Sequence, residues 1–202
     1  MSYGCDVLKR GRAIDVVTVR ARQQARIVMS VDVSFHDPEG GSELATTIPD
    51  AGDPDTLPPS SYRPPQTLPS VRAPFEVKYA DAQHGNSDPA NSGPLVNAWI
   101  RTRNPVGSSA PVVHAALLAY AVDFLITRPI RRSLGNPSMA GASLDHSMWF
   151  HRSFAIDDWV LVSGIAWSFA DGRGLASASI FRRDGAHIAS ATQEALLRPI
   201  VD

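Results

Sequence analysis

The sequence predicts an α+β fold in which an antiparallel sheet wraps round one long buried helix. Three observations carry this prediction: an apolar helical stretch at residues 112–126, alternating strand-like segments on both sides of it, and a hairpin signal at Asp184-Gly185. A helix that is apolar on nearly every side has to be enclosed, and a curved antiparallel sheet encloses it. With 44% hydrophobic and 19% charged residues, the 202-residue chain has the composition to bury such a core.

Two strands are predicted near the start of the chain. From Arg12 apolar residues alternate with polar ones, Gln23-Gln24 interrupts the pattern, and apolar residues then recur at every second position from Ile27 to Phe35. This period of two is typical of antiparallel strands with one buried face. Nothing before Phe35 predicts a helix to cover that face, so we expect another element to do so.

A proline-rich linker is predicted at residues 37–69, which hold eight of the 16 prolines. Such segments behave as extended spacers, and a connector is a commoner role for them than a ligand for a proline-binding module. The predicted organisation is a partial first unit of strands only at residues 1–36, the linker at 37–69, and a complete second unit at 70–202.

The second unit is predicted to contain two strands, the helix and four further strands. The first two strands are expected at residues 71–79 and 95–103, with a turn-rich loop between them. Ser108 or Ser109 is the expected N-cap of the helix, and Pro129 its stop.

The four later strands are predicted at residues 143–152, 159–169, 175–183 and 187–197. Asp184-Gly185 between the last two is a two-residue signal for a primed hairpin turn. The whole order is that of the hotdog fold.

Composition excludes some classes of function. A net charge of -1 gives no reason to propose nucleic acid or an anionic membrane as a partner. Cys5 is the only cysteine, which excludes an internal disulfide and a cysteine-rich metal site and favours a reducing compartment. We find no apolar core of a signal peptide and no run near the roughly 20 apolar residues of a spanning helix, so a cytoplasmic location is predicted.

Three polar residues do not fit an ordinary core. Asp123 lies within the apolar helix, where an unpaired carboxylate is costly to bury. Ser143 opens a predicted strand, and Gln193 lies in the apolar last strand. Taken singly, each has a commoner interpretation: an outward-facing carboxylate, a turn hydroxyl, and an amide that satisfies backbone groups.

Taken together, the segments around these residues resemble the type II acyl-CoA thioesterases. The most specific of them is the run Asp-His-Ser-Met-Trp-Phe-His from Asp145 to His151. The similarity covers nearly the whole chain except the linker. It is carried by residues 118–123, 142–152 and 192–194, by Arg173-Gly174 and the turn at 183–185, and by the upstream segments 8–12 and 34–36.

The resemblance implies a double hotdog, with two hotdog units in one chain, that hydrolyses fatty acyl-CoA to free fatty acid and coenzyme A. It also implies that Asp123, Ser143 and Gln193 together hold the attacking water, with the carboxylate as general base. This chemistry requires no metal or other cofactor. The side chains expected to bind the anionic substrate are Arg128, Arg131, Arg132, His146 and Arg152.

Three other interpretations stay open. Acylation of Ser143 with His146 as its base is disfavoured, because residues three apart on a strand point to opposite faces. A non-catalytic acyl-CoA-binding or assembly module would keep the fold without turnover. A hotdog hydratase has only the pair Asp145-His146 in its support.

The sequence also departs from the family. The family's first unit begins with strands and a helix that precede the segment resembling residues 7–35, and we expect either another subunit of a homo-oligomer or a segment upstream of Met1 to cover the partial sheet. Ala195 stands where the family favours Gly, and Val122 where it favours a small hydroxyl residue. Both changes are mild and leave room for altered substrate preference or reduced activity.

Overall fold

The computed structural model describes residues 1–59, 74–80, 94–135 and 139–200. The chain divides into two compact units, Met1–Leu44 and Ala45–Asp202.

The first unit is a three-stranded antiparallel sheet in the order β1-β2-β3. Its strands are β1 (Ser2–Arg10), β2 (Ile14–Gln23) and β3 (Arg26–His36). Strands β2 and β3 confirm the two that the alternation predicts. Strand β1 was not predicted, although its odd positions Tyr3, Cys5 and Val7 carry the same alternation.

The turn between β1 and β2 depends on Gly11. Its N–H donates to Ile14 O at 3.1 Å, and a Cβ placed on it would lie 2.6 Å from that same oxygen. Only glycine allows so close an approach. On β3 every residue except the half-buried Val33 is exposed, so apolar side chains such as Met29 and Phe35 remain open.

The second unit is a seven-stranded antiparallel sheet with one long helix, which confirms the predicted α+β arrangement. The order along the sheet is β4-β5-β8-β9-β10-β6, and β7 pairs separately with β10. The elements are β4 (Phe75–Tyr79), β5 (Leu95–Thr102), α1 (Pro111–Leu125), α2 (Arg128–Ser133), β6 (Met139–Ser143), β7 (Ser147–Phe150), β8 (Val160–Ala170), β9 (Arg173–Arg182) and β10 (His187–Pro199).

Helix α1 packs one face on the inner side of this sheet. Leu118 and Val122 are fully buried in a cluster that also contains sheet residues such as Ile100 and Ile180. The opposite face is exposed and includes Tyr120. The expectation of a helix buried on nearly every side is therefore wrong, because the described part of the sheet encloses only one face of it.

One helical stretch among the described residues, Pro111–Ser133, which spans α1 and α2, is long and apolar enough to cross a membrane. No such run was predicted from the sequence. Half of this stretch is buried inside the protein, which is the environment of a core helix.

Both ends of α1 differ from the prediction. Its N-cap is Ala110, and Ser108 Oγ accepts a hydrogen bond from the Ala110 N–H at 3.2 Å without capping the helix. Pro129 does not act as a simple stop, since it lies in the first turn of α2, where a missing N–H costs nothing. The short α2 was missed because six residues carry too little periodicity.

Part of the predicted linker packs on the outer face of the sheet. Ala51 and Leu57 are buried with Trp99 and Trp159. Trp99 Nε1 donates to Ala51 O, and Trp159 Nε1 donates to Asp55 Oδ1, each at 3.2 Å. The spacer interpretation is therefore wrong for residues 45–57, which belong to the second unit; residues 60–69 lie outside the described residues.

The hairpin between β9 and β10 turns through Gly185, whose φ is 92°. Its N–H donates to Arg182 O at 3.0 Å, and the Arg182 N–H donates to Ala186 O at 2.9 Å. Asp184 does not have the positive φ that a primed turn requires. The hairpin position is as predicted, but the turn is the longer type in which only the glycine is left-handed.

Candidate active site

The stretch predicted as one strand at residues 143–152 is broken in two. Strand β6 ends at Ser143, opposite Ala195, and β7 begins at Ser147, opposite Thr192. Both short strands pair with β10, so the residues between them form a bend beside its middle.

Glu194 on β10 holds that bend through its backbone. The Leu144 N–H donates to Glu194 O, and the Glu194 N–H donates to Asp145 Oδ1, each at 2.9 Å. Because the bend is tied to the residue next to Gln193, the side chains of Ser143 and His146 both reach Gln193.

The three residues predicted to hold water lie in one hydrogen-bonded group. Ser143 Oγ donates to Asp123 Oδ1 at 2.7 Å. Gln193 Nε2 donates to Ser143 Oγ at 3.0 Å and lies 3.4 Å from Asp123 O. Helix α1, the end of β6 and the middle of β10 thus supply one residue each.

Burial differs sharply across this group. Gln193 is 1% exposed, whereas Asp123 and Ser143 are both exposed. The expectation that Asp123 is buried is therefore wrong, because it lies on the face of α1 that the sheet does not cover. The Gln193 amide is therefore buried, whereas the Asp123 carboxylate and the Ser143 hydroxyl are accessible to solvent.

His146 is the fourth member of this hydrogen-bonded group, although it was predicted among the substrate-binding side chains. Its Nδ1 lies 2.7 Å from Gln193 Oε1. The reason given against a Ser143–His146 pair is also wrong, since the break in the strand brings both side chains to Gln193. Ser143 nevertheless donates to Asp123 and makes no hydrogen bond to His146.

Asp145 does not form a catalytic pair with His146. Its Oδ1 accepts from the Glu194 N–H, while the His146 ring bonds Gln193. The structure therefore removes the one feature that supported the hydratase interpretation.

The predicted substrate-binding arginines do not form one cluster. The Arg131 side chain donates to Met139 O, opposite Pro199 at one end of β10. Arg152 donates to His187 O at the other end of β10. At about 3.3 Å per residue these two ends are about 40 Å apart along the strand. They flank Gln193 from opposite directions.

The other two arginines lie on α2. The Arg128 guanidinium lies 3.9 Å from the ring centroid of Tyr79. Arg132 Nη1 donates to Leu95 O at 3.1 Å. With Arg131, α2 therefore carries three of the four predicted arginines.

The group of four side chains has the chemistry to hold and deprotonate a water molecule. Among the described residues, Ser143 is the only hydrogen-bond donor to the Asp123 carboxylate, which leaves Oδ2 for another donor. In the described parts of the chain, no three side chains of His, Cys, Asp or Glu come together as a metal-binding group.

The chain is similar to a protein family model and to proteins of known name. Residues 54–197 match the family model described as acyl-CoA thioesterase C-terminal domain. The chain is 32% identical to a Haemophilus influenzae protein called acyl-CoA thioesterase 2, over 97% of this chain and 73% of that protein. It is 26% identical to the human acyl-coenzyme A thioesterase 8, over 97% of this chain and 67% of that protein.

Solved structures agree with these matches. The structure of an acyl-CoA thioesterase II from Mycobacterium marinum matches this chain with a TM-score of 0.82 at 26% identity. The match covers 98% of this chain and 73% of the Mycobacterium marinum chain. The tesB protein of Mycobacterium avium subspecies paratuberculosis has a TM-score of 0.79 at 27% identity, with coverages of 98% and 71%.

Proposed function

From the membership of the chain in the type II acyl-CoA thioesterase family, whose members are thioester hydrolases, we propose a specific reaction. The chain converts fatty acyl-CoA to free fatty acid and coenzyme A by means of a water molecule held by Asp123, Ser143 and Gln193. The observation that supports this proposal is the hydrogen-bonded group of these three side chains. A carboxylate with an available oxygen lies beside a hydroxyl and an amide whose orientations are fixed.

The proposed reaction begins with the water bound at the Asp123 carboxylate. Asp123 accepts a proton from the water as the oxygen attacks the thioester carbonyl carbon, which forms a tetrahedral intermediate. The intermediate then collapses, the C–S bond breaks, and the departing sulfur takes the proton from Asp123. The products are a carboxylic acid and the free thiol, and the carboxylate is regenerated.

Ser143 and Gln193 contribute orientation in this mechanism. Ser143 Oγ is held between the Asp123 carboxylate and the Gln193 amide at 2.7 and 3.0 Å. A fixed hydroxyl beside the base restricts the bound water to few orientations, which lowers the entropic part of the barrier.

The proposal is tested by the release of thiol from palmitoyl-CoA by the purified 202-residue chain. We expect one equivalent of coenzyme A for each equivalent of palmitate, without an initial burst of thiol and without an acylated protein in the mass spectrum. Binding of palmitoyl-CoA without thiol release would instead identify the non-catalytic module. A stable acyl adduct on Ser143 would contradict the attack by water.

The basic face of α2 is proposed to bind the phosphates of coenzyme A, since three arginines lie there and one lies at the far end of β10. Arg132→Ala is expected to raise KM for palmitoyl-CoA about tenfold with kcat changed less than about threefold, because an interaction made equally in the ground and transition states is lost. Steady-state kinetics at low and high salt provide the measurement. A comparable rise in Arg152→Ala but not in Arg132→Ala would contradict the assignment.

A homo-oligomer remains a further proposal. It is supported by the exposed apolar residues of β3, which another copy of the chain would cover. Sedimentation of the purified chain as a monomer at micromolar concentration would contradict it.

A further inference from the structure

We propose that His146 is a positioning residue, which sets the orientation of the Gln193 amide and through it the hydrogen bond of Ser143 to Asp123. The proposal rests on the proposed function of Asp123, Ser143 and Gln193, and it concerns His146, the fourth side chain of the hydrogen-bonded group. It follows from the number of donors and acceptors that each of the four side chains possesses.

The direction of each hydrogen bond is fixed from the carboxylate outward. A carboxylate oxygen only accepts, so Ser143 gives its single hydroxyl hydrogen to Asp123 Oδ1 at 2.7 Å. Ser143 Oγ must then accept from Gln193, which places Nε2 of the amide 3.0 Å away. The amide oxygen Oε1 therefore faces His146 and only accepts, so His146 Nδ1 carries the hydrogen across the 2.7 Å contact.

The Gln193 amide has two orientations that differ by a half-turn, and the flipped one is incompatible with this group. It would place Oε1 against the Ser143 hydroxyl oxygen, whose hydrogen is already given to Asp123. The same flip would bring Oε1 towards Asp123 O, which is 3.4 Å from Nε2 in the observed orientation. His146 supplies the one donor that matches Oε1 in the observed orientation.

Burial makes this match necessary. Gln193 is 1% exposed, so water cannot readily replace a lost partner, and an unsatisfied buried amide oxygen is costly. Without the His146 donor, a flipped Gln193 amide or a displaced Gln193 side chain becomes comparable in free energy with the observed orientation. Ser143 would then lose its fixed orientation beside the base.

The ring is held so that Nδ1 faces the amide. The bend that carries His146 is fixed by two backbone hydrogen bonds at Glu194, through Leu144 and Asp145. The ring is half-buried, and Nε2 is inaccessible and has no hydrogen-bond partner among the residues that the structure describes. With Nε2 closed off from solvent, Nδ1 is the nitrogen that acts in this group.

Two substitutions separate the hydrogen bond from the bulk of the ring. His146→Leu removes the donor, whereas in His146→Asn the side-chain amide N–H lies where Nδ1–H lies. We expect His146→Leu to lower kcat for palmitoyl-CoA hydrolysis about 10- to 100-fold with KM changed less than about threefold. His146→Asn should recover kcat to within about fivefold of the unaltered protein.

A double-mutant cycle with Gln193→Ala tests whether His146 acts through Gln193. In the Gln193→Ala background, His146→Leu should lower kcat by less than about twofold, since no amide remains to be oriented. An undiminished effect of His146→Leu in that background, or no recovery in His146→Asn, would overturn the proposal.

His151→Leu is the matched control, because it is the same substitution in the same stretch and lies outside the group. Its Nε2 is 3.0 Å from Ser190 Oγ, and burial, followed by smaller effects of His187 and Arg152, lowers its pKa. We expect its kcat to stay within about twofold of the unaltered protein, and thermal unfolding of each variant reports on folding. An equal loss of kcat in His151→Leu and His146→Leu would also overturn the proposal.

The two proposals fail in distinguishable ways. Full activity in Gln193→Ala would contradict the proposed role of Gln193 itself, and the role of His146 would fall with it. Full activity in His146→Leu, with activity lost in Gln193→Ala, would overturn only the positioning role.

Discussion

Asp123→Asn is expected to lower kcat for palmitoyl-CoA hydrolysis by about 10²- to 10⁴-fold, the range that removal of a general base produces. The side-chain oxygen of Asn can still accept the Ser143 hydrogen bond, so the geometry of the group persists. The amide cannot take a proton from water, so the chemical step loses its base. Asp123 is exposed, and the variant should therefore keep the stability of the unaltered protein.

Asp158→Asn provides the control for this result. Asp158 is also exposed and lies in the second unit, but outside the hydrogen-bonded group. We expect it to keep kcat and KM within about twofold of the unaltered protein. Thiol release from palmitoyl-CoA under saturating substrate is the measurement, and equal turnover in Asp123→Asn and Asp158→Asn would contradict the general-base role.

The elements that the sequence predicted correctly are those whose signal is local. Helix α1 and the strands from β8 to β10 carry long periodic patterns, and their bounds fall within a few residues of the expected ones. The packing of residues 45–57 has no comparable local signal. Arg183 pairs with Asp53 at 2.7 Å across 130 positions of sequence, and proline content alone does not reveal such a contact.

In the candidate site, too, some features were predicted from the sequence and others depend on contacts that have no local signal. Resemblance to a family singled out Asp123, Ser143 and Gln193, which lie in one hydrogen-bonded group, although the physical reason offered for Asp123, its burial, was wrong. The contact between His146 and Gln193 depends on the break between β6 and β7. That break is produced by hydrogen bonds to Glu194, and a continuous-strand assumption places His146 on the wrong face.

Gln193→Ala is expected to lower kcat by about 10²-fold, with KM changed much less. The substitution removes the donor that holds Ser143 Oγ and the acceptor for His146 Nδ1, so two of the four side chains lose their fixed orientation. The Nδ1 donor of the half-buried His146 ring also loses its partner, which costs about 1–3 kcal/mol of stability. Steady-state thiol release and urea unfolding together measure the two effects.

Thr192→Ala is the matched control, because Thr192 is the neighbouring residue on β10 and its side chain points to the opposite face of the sheet.

Gln193→Glu separates the two hydrogen bonds that Gln193 makes. An ionised Glu accepts from His146 as before but has no hydrogen to give to Ser143, and it adds a negative charge near Asp123. If Gln193 contributes by orienting Ser143 through its amide N–H, Gln193→Glu must be as inactive as Gln193→Ala. Full turnover in Gln193→Glu would instead show that the donor to Ser143 is dispensable and that acceptance of the His146 hydrogen bond is sufficient.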